Sequence, residues 1–166
     1  MKVKPLLEGK PFMTEYGIVG YSTVVLIACD DEKNILYDCG SKGCVLQLKE
    51  ALEKAGMKPE DITHVVISHL HFDHVGNLPL FSDAEILLNK IEWESANQTP
   101  DEWHSIQTLA YLEKRGNLRF VKEGDIISEE VSVMELPGHT PGLIGLRCGA
   151  ETILCSDAMK NRYELW

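Results

Sequence analysis

Four side chains that can bind a metal ion fall within six consecutive residues, His69-Leu-His-Phe-Asp-His74. Imidazole nitrogens and carboxylate oxygens bind zinc, manganese and iron, with zinc at about 2.0–2.2 Å. In an extended segment alternate residues project to the same side, so His69 and His71 can reach one ion. Asp73 and His74 lie past the bend and point elsewhere, which predicts a second ion or a supporting role. A histidine-rich surface loop would not explain why half of the six histidines fall in this segment.

The elements that position this segment can be predicted from the pattern of apolar residues. Residues 22–29 are β-branched and continuously apolar, which predicts a buried strand, and 35–38 follows as the second strand of a hairpin. A helix is expected over 45–55, and a short core strand over 64–67 leads directly into the histidines. In open α/β sheets, ligand-binding sites commonly lie at the carboxyl ends of the strands. The region 90–115 is expected to be helical. Further strands are expected at 118–121, 126–127, 131–136, 142–147 and 152–155.

Length and composition predict one globular domain spanning residues 1–166. No apolar run approaches the roughly 20 residues that cross a bilayer, and the first ten residues have no apolar signal core. The five cysteines show no zinc-ribbon or Cys-x-x-Cys spacing, which favours free thiols in a reducing compartment. We therefore expect a cytoplasmic protein without a membrane partner. The net charge of −10 argues against broad nucleic-acid binding, although a metal site that acts on phosphodiesters is compatible with it.

The histidine segment resembles the signature of the metallo-β-lactamase superfamily, and further matches follow in the order usual for that family. Asp38, at the end of an early strand, resembles the family's buried structural aspartate, which is not a ligand. Pro137–Gly142 resembles the segment that carries a third histidine, here His139, and Asp157 resembles the aspartate that bridges two ions. The resemblance implies an α/β (α+β) fold with four αββα layers, in which two stacked mixed β-sheets are flanked by helices.

The resemblance also implies a ligand set and a reaction. One ion would be held by His69, His71 and His139, a second by Asp73 and His74, and Asp157 would bridge them. The expected cofactor is one or two Zn²⁺ ions, with Fe²⁺ and Mn²⁺ as the other ions of the family. A hydroxide between the ions would attack an ester-like bond of a small-molecule lactone, thioester or phosphodiester. Asp73 would be the catalytic residue that orients this hydroxide and accepts a proton.

The sequence departs from the family after the bridging aspartate, where most members carry a last metal-binding histidine. No histidine follows His139, and the sequence ends at Trp166. We expect a shortened form of a longer family member with a weakened second metal site; the alternative is a natural small variant whose terminus forms a homo-oligomer contact. His64 and His104 are expected to be structural or surface residues, with His104 on the middle helix. Two other functions stay open: a metal-binding protein without turnover, and a mononuclear-iron oxidoreductase similar to the persulfide dioxygenases.

Overall fold

The structure, a computed structural model, describes residues 1–15 and 17–159. The segment 160–166, which contributes to the expectation of a shortened chain, lies outside the described residues. No helix in the described part is long and apolar enough to cross a bilayer. The helices are α1 (Val45–Lys54), α2 (Phe72–Val75), α3 (Lys90–Gln98) and α4 (Ile106–Lys114). The strands are β1 (Lys2–Leu7), β2 (Met13–Thr14), β3 (Gly17–Ile18), β4 (Val24–Ala28), β5 (Asn34–Tyr37), β6 (His64–Val66), β7 (Glu85–Asn89), β8 (Leu118–Val121), β9 (Ile126–Ser128), β10 (Val131–Glu135), β11 (Ile144–Cys148) and β12 (Thr152–Leu154).

Within the described residues the strands form two stacked sheets and a small β2–β3 hairpin. The larger sheet has the order β1-β4-β5-β6-β7-β8, with β5 to β8 parallel and β1 and β4 antiparallel at one edge. The smaller sheet has the order β12-β11-β10-β9 and is antiparallel throughout. Among the described strands, therefore, only the larger of the two predicted sheets is mixed. The strands of the smaller sheet are joined by short connections, which can only link antiparallel neighbours.

The continuous apolar run of β4 is explained by burial on both faces. Val24 and Leu26 pack in a core between the larger sheet and the helices, where α1, α3 and α4 also contribute apolar side chains. Val25 and Ile27 point the other way, into a second core between the two sheets. Each such side chain stabilises the fold by about 1.5–3 kcal/mol when it is fully buried. The larger sheet is thus the central layer against which the other layers pack.

Most predicted elements are present, with small differences in their bounds. The predicted hairpin corresponds to β4 and β5, and α1 is followed by Gly56 in the left-handed region, at φ +77°. The predicted helical region 90–115 is in fact two helices, separated by the loop 99–105. β1 and β7 were not predicted. β1 is a half-exposed edge strand that contains Pro5, so it lacks a clear apolar alternation.

A buried carboxyl group ties the two predicted ligand segments together. Glu92, in the first turn of α3, is only 1% exposed. Its Oε1 accepts a hydrogen bond from the backbone N–H of Leu70 (2.9 Å), which lies between the first two histidines of the motif. Its Oε2 accepts from the backbone N–H of Gly142 (3.2 Å), at the end of the segment that carries His139. Both ligand segments are therefore held by one side chain.

We predict that Glu92→Gln destabilises the protein by roughly 1–3 kcal/mol. The new amide would present an N–H group to one of the two backbone N–H donors, which leaves that donor buried without an acceptor. Urea unfolding would measure the loss. Glu94→Gln is the matched control, because Glu94 lies on the same helix with its side chain 50% exposed. Equal unfolding free energies for the two variants would contradict the proposal that Glu92 holds the two ligand segments together.

Candidate metal centre

The histidine motif follows β6 closely, and two backbone hydrogen bonds hold its last two residues in place. The N–H of Ser22 donates to the carbonyl of Asp73 (3.0 Å), and the N–H of Cys39 donates to the carbonyl of His74 (2.8 Å). His71 is the last extended residue before α2, so the chain turns sharply within the motif. This turn separates the first two histidines from the aspartate and the third histidine, as the sequence predicts.

The first predicted ligand set is brought together by the fold. His69, His71 and His139 each offer one ring nitrogen within 4.8 Å of the others. The Nδ1 of His71 lies 3.2 Å from the Nε2 of His139. Ligand nitrogens around a tetrahedral zinc ion are separated by about 3.3 Å, given Zn–N bonds of about 2.0–2.1 Å. The Nε2 of His69 is buried and has no hydrogen-bond partner among residues 1–15 and 17–159, as expected of an atom that binds an ion. These residues therefore fit a metal ion.

The second predicted set lies beside the first and shares an aspartate with it. The Nε2 of His74 is 3.6 Å from Asp73 Oδ2 and 3.6 Å from Asp157 Oδ1. The other oxygen of Asp157, Oδ2, lies 3.4 Å from the Nε2 of His139. Asp157 thus faces each set with one oxygen, which suits a bridging ligand. His69 is also within reach of His74 and Asp157, but its free Nε2 can bind only one ion.

Asp38 supports the second set from behind and is itself almost completely buried. Its Oδ2 lies 2.8 Å from the Nδ1 of His74, and its two oxygens accept from the N–H and the hydroxyl of Ser68, both at 2.8 Å. This contact places a proton on Nδ1 of His74 and leaves Nε2 to face the two carboxylates. The hydroxyl of Ser156 lies 2.9 Å from that of Ser68 and closes the network. Asp38 was predicted from the sequence as a structural residue. Neither serine was predicted, because the only signal of each in the sequence is its place beside a predicted site residue.

Burial and charge divide the histidines into two kinds. Burial, reinforced by the neighbouring histidines, holds the pKa of His69 well below its usual range. Burial likewise lowers the pKa of His71 to about 4, despite the opposing charge of Asp101. These imidazoles are neutral at neutral pH and need not lose a proton to bind a cation. Burial also lowers the pKa of His74, but Asp38, helped by the other two carboxylates, outweighs it and raises that pKa.

The prediction that His104 lies on the middle helix is wrong. His104 belongs to the loop 99–105 between α3 and α4, and its buried ring lies 5.2 Å from that of His71. Asp101, in the same loop, has Oδ1 at 2.8 Å from His104 Nδ1 and Oδ2 at 3.4 Å from His71 Nε2. Burial raises the pKa of Asp101, but the N–H of Trp103 and the two histidines outweigh it and lower that pKa. From the sequence, His104 was expected to be only a structural or surface residue, and Asp101 was not predicted.

The remaining histidine and the polar residue after the motif lie outside the ligand sets. His64 starts β6 at the end of the strand away from the motif, and its Nδ1 lies 2.7 Å from Thr63 Oγ1. Asn77 donates from Nδ2 to the carbonyls of Cys39 (2.9 Å) and Ser41 (2.7 Å). Asn77 therefore stabilises the turn that follows Asp38 and does not contact a predicted ligand through these bonds.

The two ligand sets lie at one side of a cavity of about 510 Å³. His71, His74, His139, Asp73 and Asp157 all line it. Its walls come from the segments that flank the β2–β3 hairpin, from the loop 99–105 and from β12. The larger wall side chains are those of Lys10, Tyr21, Phe72, Trp103 and Ile153. The cavity therefore combines a polar floor of potential ligands with mainly apolar walls.

Comparisons with known proteins agree with this architecture. Residues 17–156 match the family model described as the metallo-β-lactamase superfamily. An N-acyl homoserine lactonase of Bacillus cereus is 37% identical over 92 residues, which cover 55% of this chain and 34% of the lactonase. A metallo-β-lactamase domain-containing protein 1 of Xenopus laevis is 35% identical over 99 residues, 60% of this chain and 36% of that protein. The chain thus spans about a third of the length of the curated relatives it matches.

Solved structures show the same fold. A metallo-β-lactamase-type protein of Thermotoga maritima superposes with a TM-score of 0.78 at 23% identity, covering 91% of this chain and 73% of that one. A dizinc quorum-quenching lactonase in complex with a homoserine product gives a TM-score of 0.65 at 23% identity, covering 82% and 55%. The predicted fold class is confirmed, and the family match extends over most of the sequence. The chain belongs to the metallo-β-lactamase superfamily.

Proposed function

We propose that this chain is a metal-dependent hydrolase that opens an ester-like bond, with a small lactone as the favoured substrate. The observation that carries the proposal is the pair of ligand sets that share Asp157 on the floor of the cavity. A nitrogen-rich set beside a carboxylate-rich set is the arrangement of a two-ion site for hydrolysis. The fold alone would not support this conclusion, since one fold serves many reactions.

We propose zinc as the ion, because three neutral imidazoles with carboxylates suit its preference for nitrogen and oxygen ligands. The similarity to a dizinc lactonase supports the same choice. The residues that would hold the ions are His69, His71 and His139 in one set and Asp73, His74 and Asp157 in the other. Divalent ions in these sets would supply a lowered water pKa and a polarised substrate carbonyl.

The side chains of the protein supply the remaining chemistry. Asp73 lines the cavity with its side chain 30% exposed, so its carboxylate can take a proton from the attacking water and return it to the leaving oxygen. Asp38 holds His74 in one tautomer throughout, since it is buried and contacts Nδ1. The ring centroids of Phe72 and Trp103 lie 6.2 Å apart in the wall, and the two stacked rings give that side of the cavity an apolar surface.

The lactone is favoured over a thioester or a phosphodiester by the walls of the cavity and by the relatives. A volume of about 510 Å³ suits a small molecule, and mainly apolar walls can bind an acyl chain beside a polar ring. The Bacillus cereus relative is an N-acyl homoserine lactonase. The net charge of −10 disfavours a polyanionic substrate such as nucleic acid.

We predict that His71→Ala reduces lactone hydrolysis to the background rate, because the first set loses the nitrogen that faces His139. His64→Gln is the control, since His64 lies at the far end of β6 and its replacement should leave turnover unchanged. The assay would follow acid release from N-hexanoyl homoserine lactone with added Zn²⁺. Parallel assays with a thioester and bis(nitrophenyl) phosphate would test the substrate class.

The other two functions have distinct outcomes in the same assay. A protein that binds zinc but turns over none of these substrates would contradict the hydrolase and favour a metal-binding role. One tightly bound Fe²⁺ together with oxygen consumption on a persulfide would favour the oxidoreductase. Faster hydrolysis of the thioester or of the phosphodiester would retain the hydrolase and overturn the lactone.

A metal titration should reveal two unequal sites. Among the described residues, the first set offers three imidazole nitrogens, whereas the second offers one imidazole and two carboxylates, one of them shared. Because zinc binds strongly to imidazole, we expect one tight Zn²⁺ and a second that a chelator removes first. Competition with a chromophoric chelator, with native mass spectrometry for stoichiometry, would measure this. Two ions of equally high affinity would refute the inequality.

A further inference from the structure

Backbone contacts join the loop 99–105 to the histidine motif. The N–H of Phe72 donates to the carbonyl of Trp103 (2.8 Å), and His71 and His104 form an isolated antiparallel bridge. The rings of Phe72 and Trp103 are stacked within 14° of parallel. The position of the loop is therefore coupled to that of His71, one of the proposed ligands.

The two ring nitrogens of His71 face different partners. Nδ1 lies 3.2 Å from His139 Nε2 and points into the first ligand set. Nε2 is buried and lies 3.4 Å from Asp101 Oδ2, slightly beyond an ordinary N–H···O distance of about 2.7–3.2 Å. A histidine that binds a metal through one nitrogen carries its proton on the other, and usually donates it to a carboxylate or a carbonyl. Asp101 is the carboxylate in position to receive it.

Asp101 is itself held in place by two groups of the loop. Its Oδ1 accepts from the backbone N–H of Trp103 (2.9 Å) and lies 2.8 Å from the Nδ1 of His104. The same Nδ1 also lies 3.1 Å from the backbone nitrogen of Asp101, whose N–H points towards it, so His104 contacts both the side chain and the backbone of Asp101. The side chain of His104 is only 7% exposed, whereas that of Asp101 is 44% exposed. The buried imidazole therefore orients a carboxylate that solvent would otherwise leave mobile.

We propose that Asp101 and His104 form a positioning pair that orients His71 and keeps its proton on Nε2, so that Nδ1 is available to the metal. This inference rests on the proposed function, because it assigns His71 to the metal centre. The competing interpretation is a separate ion bound by His71, Asp101 and His104, whose ligand atoms also lie within 4.8 Å of one another. His71 would then have to bind two ions through both nitrogens, which requires the loss of its last ring proton.

The pair can be tested by metal binding and by the tautomer of His71, neither of which requires turnover. The variants are Asp101→Asn and His104→Gln, and the control is Glu102→Gln, which changes an exposed carboxylate in the same loop. We expect both variants to weaken the tighter Zn²⁺ site by about 10–100-fold and to alter its Co²⁺ absorption spectrum, with the number of bound ions unchanged. The control should match the wild type in both measurements.

A second measurement uses the metal-free protein at neutral pH. Long-range ¹H–¹⁵N spectra should show His71 as the Nε2–H tautomer in the wild type and in Glu102→Gln. In Asp101→Asn the population of the Nδ1–H tautomer should rise, because an amide can donate to Nε2. A purely structural role would lower the melting temperature without changing the tautomer or the relative affinity.

Each outcome supports or overturns the pair. Loss of one bound ion in the variants would overturn it in favour of the separate metal site. Lower stability with unchanged affinity and tautomer would overturn it in favour of a structural loop. Weaker zinc binding with a changed tautomer would support it, even if the wild type hydrolyses nothing, and only the proposed hydrolysis would then fail. A wild type that binds no zinc would overturn both proposals.

Discussion

The buried carboxylate of Asp38 is the constraint that organises the rest of the centre. A charge removed from water costs several kcal/mol unless hydrogen bonds and an opposite charge compensate for it. Compensation here comes from Ser68, His74 and Ser156, which belong to the motif after β6 and to the segment after β12. Asp38 also adopts φ +58°, a left-handed conformation that aspartate tolerates better than most residues. The hydrogen bonds to the Asp38 carboxylate form only when the segment after β6 of the larger sheet lies next to the segment after β12 of the smaller sheet.

Glu92 acts in a similar way on the other side of the histidines. Its two oxygens accept backbone N–H groups from the segments that carry His71 and His139, so these segments are joined by a side chain of α3. The spacing of the ligand atoms is therefore maintained by protein contacts. A site whose ligands are held in this way loses less conformational entropy when it binds an ion.

The two halves of the centre differ in charge as well as in composition. Burial keeps His69 and His71 neutral, whereas three carboxylates surround His74. Asp101 adds a further carboxylate on the outer side of His71, opposite the ligand set. The cations that we propose would therefore lie between neutral nitrogens and acidic oxygens, with the substrate approaching from the cavity that Phe72 and Trp103 border.

Local patterns were sufficient to predict much of this protein from its sequence. The six-residue motif identified three histidines that the fold places together and an aspartate, Asp73, that lies 3.6 Å from the third of them. The apolar runs identified β4, β5, β6 and α1. Alternation and helical periodicity are local properties, so neighbouring residues determine them. His139 and Asp157 were identified through resemblance to a family, because neither residue alone carries a distinctive local signal.

Only the tertiary structure decided which distant residues complete the site. Asp101 and His104 lie some thirty residues after the motif, and no periodicity indicates that their loop returns to His71. The roles of Glu92, Ser68 and Ser156 likewise depend on contacts across elements. The pattern of a segment determines which face it buries, but the packing of the sheets and helices determines what lies opposite that face. Hydrogen bonds between loops follow from that packing, so they could not be predicted from the sequence alone.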